Sequence, residues 1–118
     1  YFLAYSFTAD DFGDVIRQKA RNGLTVAGVM EEAQVKSNTG TEFEPFTEAG
    51  LPVYQDGNLG QMHHKVFIID QRIVITGSYN FSASAENKND ENVVIFFDPQ
   101  IARAYLDEFQ RVFAEAQK

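Results

Sequence analysis

Residues 61–70 read Gln61-Met62-His63-His64-Lys65-Val66-Phe67-Ile68-Ile69-Asp70 (QMHHKVFIID) and hold both of the chain's histidines. Four consecutive apolar residues, Val66 to Ile69, bounded by polar ones, read as a buried strand. Side chains alternate along a strand, so His63 and Lys65 share one face while His64 and Val66 share the other. Asp70 falls on the face of His64 if the strand stays regular, although it stands where the chain turns. Asp70-Gln71-Arg72 supplies that turn, and residues 73–76 return antiparallel until Gly77 breaks the run.

What lies on either side of this hairpin sets the fold class. Residues 2–7 form a short apolar and aromatic run, read as a strand. Thr8 is placed to cap a helix over residues 8–20, with Asp10 and Asp11 at its positive end and Asn22-Gly23 stopping it. Residues 24–30 (LTVAGVM) are almost continuously apolar, as a strand covered on both faces is. The polar stretch 31–42 leads to a short helix over 43–49, a brief strand at 52–54 and a loop, Asp56-Gly57-Asn58-Leu59-Gly60. Beyond the hairpin and an asparagine-rich loop, residues 92–97 make another strand. Asp98 as N-cap and Pro99 at the first helical position then begin a last helix to about Ala116, its apolar stripe running through Ile101, Tyr105, Phe109, Val112 and Ala116. Strand–helix–strand–helix followed by a hairpin predicts an α/β domain with a mixed β-sheet sandwiched by helices.

A chain of 118 residues, 44% hydrophobic and 23% charged, fits one soluble domain with one modest core. With no cysteine, disulfides, zinc ribbons and thiol catalysis are excluded. No apolar run is long enough to span a bilayer, and the first residues lack the basic region of a signal peptide. The net charge of −7 has the wrong sign for a surface that attracts nucleic acid everywhere, yet it leaves room for a small basic pocket. Tyr1 already looks like strand with no preceding turn, so the expectation is a single domain over 1–118 that is a piece of a longer polypeptide.

Imidazole beside ammonium on one strand face is a specific pairing, since imidazole can attack phosphorus or carry a proton near neutral pH and ammonium neutralises a phosphate oxygen. Gly77 would let the backbone approach a ligand closely, and Ser78 and Asn80 bring further donors. Glu91 offers a carboxylate at the entrance of the strand over 92–97, where it could fix the tautomer of His63. Each feature also has a plainer reading. Ser78 and Asn80 serve turns in many loops, Asp90-Glu91 would be a solvated pair, Asp70 would cap the hairpin, and His64 is better read as a packing residue.

Together the residues spell H-x-K-x4-D-x6-G-S-x-N with Glu91 further on, a composite that chance would produce on the order of once in a million such chains. It resembles the HKD motif of the phospholipase D superfamily. The likeness extends along the chain, through FT after the first strand, RNGLTV before the second and NDENVVIF at the last strand, and is strongest to one half of bacterial two-motif phospholipase D-like proteins. The resemblance implies a metal-independent phosphodiesterase without cofactors. Its histidine, here His63, forms a phosphohistidine that water or another alcohol resolves. Lys65, Ser78 and Asn80 would hold the phosphate, Glu91 would orient the imidazole, and Asp70 would support the site structurally or electrostatically. In the family a second motif supplies the histidine that protonates the leaving alcohol. Only one motif is present here, so the resemblance implies a partner half, from a second chain in a twofold dimer or from the rest of the same polypeptide. The substrate it favours is a lipid or other small diester. An endonuclease is the second reading, and a non-catalytic phosphate-binding or dimerising half is the third.

Overall fold

The computed structural model describes residues 1–118. Six strands form one mixed sheet: β1 (Phe2–Ala4), β2 (Gly28–Met30), β3 (Val53–Gln55), β4 (Lys65–Ile69), β5 (Ile73–Gly77) and β6 (Val93–Phe97). Their spatial order is β3-β2-β1-β4-β5-β6, with β1 to β3 mutually parallel and β4 to β6 antiparallel. Five helices complete the fold: α1 (Asp10–Arg21), α2 (Glu32–Ser37), α3 (Phe43–Glu48), α4 (Ala83–Asn87) and α5 (Pro99–Ala116). The α/β class and the mixed sheet are as the sequence predicts.

Alternation divides the hairpin cleanly. Val66, Ile68 and Val74 point to one face, where they join Leu3 and Val29 under the Ala102, Leu106, Phe109 and Val112 stripe of α5. The buried stripe includes Ala102 and Leu106 where sequence periodicity selects Ile101 and Tyr105, which pack at its margin. On the other face, Phe2, Ala4, Met30 and Val53 pack with Phe7, Phe46 and Phe81. The two caps of α5 expected from sequence are present, Asp98 Oδ1 accepting from the backbone N–H of Gln100 at 2.8 Å and Pro99 opening the helix.

Four details depart from the sequence reading. The first strand ends at Ala4, not Phe7, because after Tyr5 the chain leaves β4 and Phe7 pairs instead with Phe81. Thr8 does not cap α1; its backbone N–H is taken by the carbonyl of Phe81, and Ala9 is the N-cap residue without a side-chain bond. Residues 24–27 carry only one sheet-type bond, from Phe2 N to Ala27 O, so β2 is short and Leu24 stays 52% exposed. Helix α2 occupies part of the stretch read as a polar connection, because the Glu31 carboxylate caps it and Val35 reaches the core.

Candidate active site

The site lies at the end of the sheet where β1 finishes and β4 begins. His63 precedes the ladder by two residues and is exposed; its ring packs against Tyr5 in a tilted contact, 4.3 Å between centroids. The Lys65 ammonium donates to His63 Nδ1 at 3.1 Å and to the His63 carbonyl at 3.0 Å, and it lies 5.1 Å from the Tyr5 ring centre, within cation–π range. Partial burial pulls the Lys65 pKa below the ordinary lysine value, and the negative charge of Glu91 opposes that shift. His64 turns away, its Nε2 lying 3.0 Å from Glu108 on α5. Arg111 donates to both oxygens of Glu108, at 2.9 and 2.8 Å, and these bonds hold its carboxyl down to about 2. The doubled histidine is therefore divided between the two sheet faces.

Glu91 sits in the connection entering β6. Its carboxylate accepts from Ser78 Oγ at 2.6 Å and Asn89 Nδ2 at 3.0 Å, which hold its pKa below the usual carboxylate range. Glu91 makes no hydrogen bond to His63 in this geometry, its carboxylate being taken by Ser78 and Asn89, and its link to the histidine–lysine pair is the charge it places near Lys65. Ser78 Oγ also accepts from the backbone N–H of Asn92 at 3.0 Å, so its plainer role in the turn is occupied as well. Asn80 makes no side-chain bond to protein, and its buried Oδ1 has no partner.

The hairpin itself places two further residues of the motif. Asp70 does not join the cluster. It stands at the opposite end of β4 with φ of 56°, and with Gln71 at 55° it forms the two-residue turn closed by Arg72 N–H to Ile69 O at 3.1 Å. Five residues of strand separate it from Lys65, roughly 17 Å, and its charge acts on the Tyr1 ammonium. Gly77 is required by the protein itself: at φ of 151°, an added Cβ would lie 2.2 Å from the Asn92 carbonyl oxygen. Tyr5 was invisible in sequence as a site residue because a tyrosine in an apolar strand reads as core. No group of three or more His, Cys, Asp or Glu is arranged to hold a metal ion, and no helix is long and apolar enough to cross a membrane.

Residues 1–113 match the family model described as "Cardiolipin synthase, PLD-like domain". The chain belongs to the phospholipase D-like family. Among curated relatives it is 32% identical over 111 residues to the mitochondrial cardiolipin hydrolase of Mus musculus, covering 94% of this chain and 50% of that protein. It is also 32% identical over 106 residues to a phospholipase D of Rickettsia typhi, covering 90% and 52%. The chain spans about half the length of these phospholipase D-like relatives. Among solved structures, Nuc from Salmonella typhimurium, described as a phospholipase D family member, aligns with TM-score 0.88 and 31% identity over 97% of this chain and 76% of that one. NucT from Helicobacter pylori aligns with TM-score 0.90 at 24% identity, covering 97% and 77%, which shows the shared fold.

Proposed function

We propose that this phospholipase D-like chain is half of a phosphodiesterase that works through a phosphohistidine on His63. The observation that carries the reading is the exposed imidazole of His63 with the Lys65 ammonium 3.1 Å away, in a chain whose family membership is established. The His63 nitrogen attacks phosphorus, a P–N bond forms and the P–O bond to the leaving group breaks. Water then attacks phosphorus, the P–N bond breaks and the phosphomonoester departs. Dividing one displacement into two lowers each barrier. Fixed positive charge and amide donors stabilise the phosphoryl oxygens, and Lys65 and the unengaged carboxamide of Asn80 are assigned that task.

In the geometry without substrate, Nδ1 of His63 accepts from the ammonium, which leaves the proton of a neutral ring on Nε2. An incoming phosphodiester competes for that ammonium and frees Nδ1; the Nε2 proton passes to solvent as Nδ1 takes one from solvent, and this net tautomer change leaves the Nε2 lone pair free to attack. Glu91 and Ser78 are assigned to this rearrangement: phosphate draws the Ser78 hydroxyl from the carboxylate, which then serves as the acceptor that fixes the ring.

The leaving group still needs an acid, and His64 is committed to Glu108 on the far face. We assign the acid to a second copy of this chain. The face that carries Lys65 also carries Phe67, Ile69, Ile75 and Ile95 in register, and α1 leaves much of it uncovered: Val93 and Ile95 are 49% and 50% exposed, Phe97 77%. Phe12 and Val15 of α1 border the same surface, around a cleft of about 470 Å³ that reaches Lys65. An apolar face continuous with a half-built site fits a twofold interface, which brings two His63 side chains towards one phosphate.

A lipid or other small diester is the proposed substrate. Lys65, Arg72 and Lys88 are outnumbered between residues 61 and 92 by Asp70, Glu86, Asp90 and Glu91, which leaves no basic track for a polynucleotide. Turnover of bis-p-nitrophenyl phosphate in EDTA, compared between wild type and His63→Ala, tests the chemistry. Equal rates would sink it. A panel of phosphatidylcholine vesicles, single-stranded DNA and double-stranded DNA then tests the substrate class, and faster cleavage of either DNA would turn the assignment to nuclease.

A further inference from the structure

We infer that Glu31 is a positioning residue for His63, acting through the backbone of Met62, an inference that rests on the reading of His63 as the nucleophile. The β4 ladder begins at Lys65, so the segment that delivers the imidazole lies beyond regular strand pairing. Its last sheet-type support is the bond from Tyr5 N–H to His64 O at 2.9 Å. One residue before His63, the Met62 N–H is buried and donates to Glu31 Oε2 at 2.6 Å. Met62 itself is 4% exposed and packs under α5.

Glu31 is 3% exposed and immediately follows β2, its own N–H bonded to Ala4 O at 3.1 Å. In the sheet β1 lies between β2 and β4, so this side chain ties the two strands together around the end of β1. A second buried acid backs it. Asp56, after β3, accepts from Glu32 N–H at 2.7 Å and Asn58 N–H at 3.2 Å, and Asn58 Nδ2 donates to Gln61 O at 3.2 Å. Two buried carboxylates thereby fix both the corner that carries Glu31 and the loop that leads to His63. A side-chain oxygen that accepts from a buried N–H also spares that donor the cost of being left unpaired. Neither acid touches His63, Lys65 or Glu91 by hydrogen bond, so their action is positional.

The test compares Glu31→Gln, Glu31→Asp and Glu31→Ala with wild type in the full polypeptide. Amide hydrogen exchange at Met62 is measured by NMR, and kcat and KM on bis-p-nitrophenyl phosphate are measured alongside. Glu31→Gln keeps an acceptor at the same reach and should protect Met62 and hold kcat within about threefold. Glu31→Asp is one methylene short and Glu31→Ala has no acceptor. Both should lose Met62 protection, with kcat down roughly 10- to 100-fold and KM nearly unchanged. Should Glu31→Ala fail to fold, the aspartate variant decides. Wild-type kcat in a folded Glu31→Asp protein, or Met62 protection that survives in it, would overturn the inference. If wild type and His63→Ala turn over equally, the functional reading fails by itself, and exchange at Met62 still decides whether Glu31 anchors the segment.

Discussion

At His63 and His64 the same residue type meets two environments. His63 is exposed between Tyr5 and Lys65, while His64 bonds a carboxylate that Arg111 already clamps. His63→Ala should lower turnover at least about a thousandfold, as loss of a covalent nucleophile does. His64→Ala should leave kcat within about threefold. Steady-state assays on both variants check this, and a deep loss in His64→Ala would reverse the roles. Glu108 gives a pH prediction. Its carboxyl is depressed from 4.5 to about 2, so its stabilisation is fully present above pH 4.5 and is lost as pH falls through about 2. A third of the side chain is exposed, and solvent screening discounts the effect to about 1 kcal/mol. Urea unfolding of Glu108→Gln should show that deficit at pH 7 and a shrinking one below pH 4.5; a deficit constant with pH would refute the linkage.

The β4–β5 hairpin shows what an element can hide in its sequence. Its existence was legible from apolar alternation around Asp70-Gln71-Arg72, but its turn places two non-glycine residues at φ near 55°. Type I′ turns favour Asn-Gly at those positions, so the double variant Asp70→Asn, Gln71→Gly should relieve the left-handed backbone, stabilise the protein by about 0.5–1 kcal/mol after the entropy cost of the new glycine, and leave kcat unchanged. A midpoint shift in urea unfolding measures the first part. A large drop in kcat would restore Asp70 to the chemistry. Gly77→Ala goes the other way: the backbone angle and the Asn92 carbonyl together should cost about 2–4 kcal/mol, read from the same unfolding curves. The entrance of β6 carries Glu91 and crosses at that point, so turnover should fall with stability.

For the molecule as a whole, the uncovered face of β4, β5 and β6 sets the prediction. A net charge of −7 opposes close approach of two copies, but the surface around Ile75 and Ile95 is apolar, and in the proposed dimer its burial would have to outweigh a screened repulsion. Sedimentation equilibrium should give twice the chain mass at micromolar concentration. Ile95→Asp should return it to the chain mass and lower turnover in step. A monomer in both samples at high concentration would remove the second copy and leave the acid to another part of the polypeptide. A dimer that survives Ile95→Asp would move the interface elsewhere.

The sequence by itself determined the α/β class, the hairpin, the capped last helix and the division of the two histidines, because each follows from local periodicity and turn chemistry. It also carried the family, through residues at fixed offsets around one strand. Tertiary structure decided the rest. Tyr5 meets His63, and Glu31 the backbone of Met62 before it, because β1 and β2 end beside the segment that precedes β4, and no local pattern records which strand ends meet. Glu91 came close in chain terms, yet its bond went to Ser78 because the β5–β6 pairing set their distance. Asp70 shares the motif's spacing with Lys65, but an extended strand turns five residues of sequence into a separation no side chain crosses.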